Sequence, residues 1–128
     1  MREWLWVVGG VYVLMGVRLQ PFLNASQFTR VLSGWQATPA SVEFKTAVDW
    51  MATFGYDLIA IGAVALAAAS TDAPGRSLVV WVIVARELLG GVAADLWLIK
   101  RGYANRTFYA GFIVFHLAVI ASGLLVLA

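Results

Sequence analysis

Four stretches of this chain run for about twenty residues with few charges, near 4–23, 48–69, 77–99 and 107–128. A helix of about 20 residues crosses a hydrocarbon core roughly 30 Å thick. Backbone N–H and C=O groups find no water there, so each stretch must satisfy them internally as a helix. The composition agrees, with 62% hydrophobic and 12% charged residues against the roughly half and quarter of a soluble domain. The expected architecture is therefore an all-α integral membrane four-helix bundle, a single transmembrane domain over residues 1–128.

The connections carry further information. Only 70–76 and 100–106 join the later spans, which makes those neighbours antiparallel, and Asp72-Ala73-Pro74-Gly75 is a turn signal. The second helix has a candidate earlier start, with Thr38 as N-cap and Pro39 as first helical residue. In the first connection, 24–47, Phe28, Val31, Leu32 and Trp35 recur at helical spacing, with Gln27 and Arg30 elsewhere on the surface. That pattern predicts a short helix, either at the membrane interface or capping the open end of the bundle. The N-terminal stretch is read as a first span and not as a signal peptide. Arg18 interrupts it, and "FLNAS" lacks the small-residue spacing of a cleavage site. Asn24-Ala25-Ser26 and Asn105-Arg106-Thr107 match the glycosylation pattern, a short match that arises by chance. Trp4, Trp6, Trp50, Trp97, Tyr103 and Tyr109 fall near the predicted helix ends, where amphipathic rings favour the interface.

Loop charge sets an expected orientation. Arg30, Lys45, Lys100, Arg101 and Arg106 lie at the end with the first and third loops, against Arg2 and Arg76 at the other. The positive-inside rule puts the first and third loops in the cytoplasm and both termini outside. A net charge of +2, with no basic patch interleaved with aromatics, excludes nucleic acid as a partner and fits membrane lipids. Absence of cysteine removes disulfides, thiolate nucleophiles and thiolate metal sites.

Ionisable residues inside the spans are the exception that asks for a cause. Asp57, Arg86, Glu87 and His116 each fall within about a turn of their helix midpoints. Arg18 and Asp95 are displaced by roughly 7 to 10 Å toward the end with the first and third loops. A charge at the bilayer centre costs at least about 2.5 to 3.5 kcal/mol, so these groups are expected to face inward and compensate one another. Glu87, Gly91 and Asp95 follow i, i+4, i+8 and share a face. The expected pairings are Arg86 with Asp57 or Glu87, and Arg18 with Asp95. Two arginines against three acids leave one carboxylate over, which requires either a protonated His116 or a neutral carboxyl. Tyr12 and Tyr56 are candidate hydrogen-bond donors to this centre, or simply packed rings. The interior glycines, Gly90 and Gly91 among them, serve close helix packing or leave a void. Charges paired only to lock helix register would produce the same pattern.

Three readings of His116 stay open: a haem ligand, a proton-transfer group, or a side chain satisfied by a neighbouring helix. Glu-x-x-His pairs, HExxH, a Walker loop and GxSxG are all missing from the sequence. No metal site is assigned, and no cofactor follows from these residues.

The segments "GGVYVLMGVRLQPFL", "FGYDLIAIG", "ARELLGGVAADLWLIKRGY" and "FYAGFIVFHL" resemble those of small four-helix bacterial membrane proteins of the BphX-like kind. The resemblance spans nearly the whole chain. It implies a bacterial inner-membrane protein associated with aromatic-degradation operons, and it transfers no functional residue.

Three functions compete. The first is a non-enzymatic protein that binds a small hydrophobic ligand or serves as an accessory subunit of a larger complex, with Arg86, Arg18 and Asp95 as ligand-binding residues. The second is an intramembrane acid–base enzyme on a lipid-soluble substrate, with Asp57, Glu87 and His116 as catalytic residues. The third is proton-linked transport of a small solute, which four helices would carry out as a homo-oligomer. Missing catalytic motifs and compact loops favour the first.

Overall fold

The computed structural model describes residues 1–71, 74–102 and 104–128. The described residues are helical, with one isolated antiparallel bridge between Leu32 and Ala104 and no sheet. Helix α1 covers Arg2–Arg18; a bent segment follows as α2 (Pro21–Asn24), a 3-10 turn (Ala25–Gln27) and α3 (Phe28–Val31). Then come α4 (Val42–Ser70), α5 (Arg76–Arg86), a π-helical stretch (Glu87–Ala93), α6 (Ala94–Arg101) and α7 (Arg106–Leu127). Val42–Ser70, Arg76–Arg101 and Arg106–Leu127 are long and apolar enough to cross a membrane. A fourth span results if α1 and Pro21–Val31, bent by 77°, count as one. The chain is a four-helix membrane bundle.

The first span is shorter than its hydropathy predicts. Helix α1 stops at Arg18 because Pro21 has no N–H and forces its predecessor out of helical conformation; Gln20 sits at φ −68, ψ 154. The freed polar groups are recovered locally. Gln20 Nε2 donates to the Gly16 carbonyl at 3.0 Å, and Asn24 Nδ2 donates to the carbonyls of Leu19 (2.8 Å) and Val48 (3.0 Å). Asn24 is fully buried by this work. Asn105, the other asparagine of a glycosylation-like triplet, caps α7 by accepting from Phe108 N at 3.3 Å.

The bent segment closes one end of the bundle, as a short interfacial helix whose apolar side faces inward. Phe28 and Val31 are buried, whereas Ser26, Thr29 and Arg30 are exposed. The helix ends at Val31, so Leu32 and Trp35 are not on it, and Trp35 reaches Phe28 through a turn at Gly34 (φ 71), stacking at 5.0 Å. Asn105 N donates to the Val31 carbonyl at 3.0 Å and thereby pins the first loop to the third. Helix α4 starts after Ser41, whose side chain accepts from Phe44 N at 3.2 Å, in place of the expected Thr38–Pro39 start. Pro74 and Gly75 form a turn as expected, while Asp72, Ala73 and Tyr103 lie outside the described residues.

Helices α1 and α4 meet backbone to backbone. Gly9 and Gly16 on α1 face Gly62 and Gly55 on α4, so the two glycine pairs run antiparallel. A Cβ added at any of the four would lie 2.5 to 2.9 Å from the opposing carbonyl oxygen. Lipid gives helices little hydrophobic reason to associate, so close backbone contact supplies the attraction. Across the bundle, Gly123 of α7 takes Val84 of α5, and Trp4 Nε1 donates to Ser122 Oγ at 2.9 Å. Leu5, Tyr12, Leu58, Ile83 and Val80 fill the space between.

Candidate functional site

Glu87 is fully buried at the junction of α5 and the π stretch. Its Oε1 accepts from the Tyr12 hydroxyl on α1 and from Arg86 Nη1, and its Oε2 lies 2.5 Å from His116 Nδ1 on α7. The other imidazole nitrogen, Nε2, lies 3.3 Å from Asp95 Oδ2 at the start of α6. A continuous polar line thus runs Tyr12–Glu87–His116–Asp95. The last contact is close enough for an ion pair, although Oδ2 has no well-aligned hydrogen bond.

The π stretch makes this line. In an α-helix residues eight apart diverge by about 80° around the axis. A π turn takes more residues than an α turn, which brings Glu87, Gly91 and Asp95 closer into register. Between the two acids, Gly91 leaves the space that the His116 ring occupies: a Cβ there would sit 2.6 Å from His116 Cγ and Nδ1.

Proton counting constrains the chemistry. A neutral imidazole has one donor, whereas two facing carboxylates ask for two. The line therefore holds one further proton, on the ring or on a carboxyl. With the ring charged, Arg86 and His116 balance Glu87 and Asp95. Both ring nitrogens face carboxylates, Nδ1 towards Glu87 and Nε2 towards Asp95. Among the described residues no three His, Cys, Asp or Glu side chains converge to hold a metal.

Arg86 lies against two rings, its guanidinium carbon 5.4 Å from the Tyr12 centroid and 5.1 Å from that of Phe54. Nη2 is buried and has no hydrogen-bond partner among the described residues. Beside it lies a cavity of about 400 Å³, walled by Phe54, Leu58, Phe108, Phe112 and Phe115 and reaching Gln27 and Val31 of the closing segment. Arg18, Arg86, Asp95, His116 and Tyr12 also line it.

A family model described as BphX-like matches residues 1–128. The chain belongs to the BphX-like family. No curated protein and no solved structure matches it.

In this BphX-like chain, Arg86, Glu87, Asp95 and His116 come together, and Arg86 pairs with Glu87, one of its two expected partners. Arg18 does not pair with Asp95. It is exposed, with Nη1 on the Leu23 carbonyl at 2.8 Å, because the bend after α1 brings that carbonyl within reach. Asp57 and Tyr56 do not enter the cluster. The buried side of α4 is the row Ala52, Gly55, Leu58, Gly62, Ala65 and Ala69, which turns positions 56 and 57 outward. Tyr12 does donate into the centre. What sequence reasoning missed is the π stretch and the two rings beside Arg86. The adjacent Gly90-Gly91 inside a span was the available sign of the first. Phe54 carried none, since its ring meets Arg86 only after α4 docks.

Proposed function

We propose that this protein binds small hydrophobic molecules that carry a hydrogen-bond acceptor, with Arg86, Arg18 and Asp95 as the polar contacts. The observation that carries this reading is Arg86, which lines a largely apolar cavity and whose Nη2 is a buried donor with no partner among the described residues. Buried donors are almost always satisfied, and an unsatisfied one is costly. A cavity of about 400 Å³ lies in the size range of ligand sites, roughly 300 to 1,000 Å³. Aromatic walls favour a flat apolar body, and Arg86 favours a carboxylate or phenolic oxygen on its edge.

The test compares naphthalene with 2-naphthoate on the full chain in detergent, by native mass spectrometry and thermal shift. The carboxylate is expected to bind at least tenfold more tightly, and Arg86→Lys, which keeps the charge and loses the fork, is expected to erase that preference. Equal binding of the two probes by the native chain would remove the proposal.

The Glu87–His116–Asp95 line favours one second reading, acid–base chemistry on the bound molecule, since His116 and Asp95 line the same cavity. Glu87 and His116 carry the proton in this reading, and the outward Asp57 takes no part. Incubation with 2-tetralone in heavy water tests it. Deuterium entering next to the carbonyl, faster than without protein and lost in Glu87→Gln, supports it; no acceleration ends it.

The proposed setting is a bacterial inner membrane with both termini outside the cytoplasm. Five basic residues, Arg30, Lys45, Lys100, Arg101 and Arg106, lie at the end where the first loop is pinned to the third.

A further inference from the structure

The outer face of α4 carries a carboxyl for which the bundle has no use. Asp57 is exposed, makes no ion pair or hydrogen bond with the described residues, and does not line the cavity beside Arg86. Its depth follows from the helix register. The antiparallel contacts of Gly9 with Gly62 and Gly16 with Gly55 set Tyr12 level with Ile59, about 3 Å from Asp57 along the axis. Tyr12 holds Glu87, so Asp57 lies at the depth of the buried cluster. Apart from the adjacent Tyr56, the nearest residues of interfacial type on its helix are Asp49 and Trp50, two turns away, about 11 Å. A carboxyl on a single-carbon stem cannot reach that far. An outward carboxyl at this depth is costly against acyl chains and needs a protein surface over it.

The residues around Asp57 say what that surface is. Tyr56 is 61% exposed and its hydroxyl has no partner among the described residues, so a donor and an acceptor without partners sit on adjacent positions at one depth. Thr53, Ala60, Ala63 and Ala67 continue the exposed face at spacings of three and four, small enough for a second helix to approach closely. We infer that this face of α4 is the interface of a parallel homodimer, in which Tyr56 of each copy donates to Asp57 of the other. Copies of one membrane protein insert in the same orientation, so a two-fold axis along the membrane normal brings like residues together at like depth. That symmetry supplies each unpaired acceptor with the donor it lacks. From Met51 to Ser70 the helix has no basic residue, so the pairing rests on hydrogen bonds and not on an ion pair. This inference stands apart from the proposed ligand.

The chain has no cysteine, so single cysteines report on single positions. In the full chain in native-like membranes, Ala60→Cys is expected to form a disulfide-linked dimer on mild oxidation, while Val114→Cys, exposed on α7, stays monomeric. Native mass spectrometry of the uncrosslinked protein is expected to show two copies of 13.9 kDa. Asp57→Leu should weaken the dimer at least tenfold with helicity retained, and Asp57→Asn should weaken it less, since the amide still accepts. A single-copy mass with no crosslink at position 60 overturns the inference. So does equal crosslinking at 60 and 114, or an adduct at 60 of any mass other than two chains.

Discussion

A hydrogen atom in place of a methyl group at position 91 lets the His116 ring reach both Glu87 and Asp95. Its neighbour Gly90 faces open space. The two glycines are indistinguishable in the sequence and opposite in consequence. Gly91→Ala is expected to lower stability by about 1 to 3 kcal/mol, because the methyl must displace the ring. Gly90→Ala should be neutral or gain up to about 1 kcal/mol, since alanine loses less backbone freedom. Thermal unfolding of the two variants in one detergent checks the contrast, and similar melting temperatures would refute it. Glu87 gathers Tyr12, Arg86 and His116, and Glu87→Leu leaves the half-buried Arg86 and the buried His116 without their acid. A loss of about 3 to 5 kcal/mol is expected, measured the same way. That in-span charges would gather was legible from their cost in lipid, and it held for Arg86, Glu87, Asp95 and His116 but not for Arg18 and Asp57. Which ones meet was not legible, because Asp57 and Glu87 carry the same chemistry at similar depth.

At the scale of elements, the extra residue of the π stretch sets everything that follows it. Deleting Gly90 is expected to restore a regular α-helix in which Asp95, now seven steps from Glu87, stays within about 20° of the same face. The NMR signal of the His116 Nε2 proton reports it: loss of that signal in the deletion variant would contradict this account. Hydrophobic periodicity does not reveal such an insertion, since exposed Leu88 and Leu89 are as apolar as the buried residues before them. The α1–α4 pair is closed by backbone contact, so Gly16→Leu should separate the two helices while Gly10→Leu, in open space, leaves them joined. Thermal unfolding in one detergent distinguishes them, with the first variant expected to melt well below the native chain and the second close to it. Here the sequence showed glycines in number; docking chose Gly9, Gly16, Gly55 and Gly62 for the seam.

For the whole molecule, the proposed orientation makes a plain expectation. A periplasm-active reporter fused after Ala128 should work, and one placed at Gly34 in the first loop should not. The opposite pattern would invert the topology. Hydropathy determined that the chain is helical and enters the membrane, because apolar length and backbone satisfaction are local properties. It determined equally that the in-span charges seek partners, because their cost in lipid does not depend on the fold. Tertiary structure decided the rest. The 77° bend after α1, the outward turn of Asp57 and the Tyr12–Glu87–His116–Asp95 line all depend on how helices rotate against each other. Helix rotation is set by which small residues let backbones touch, and that contact exists only once two helices are side by side.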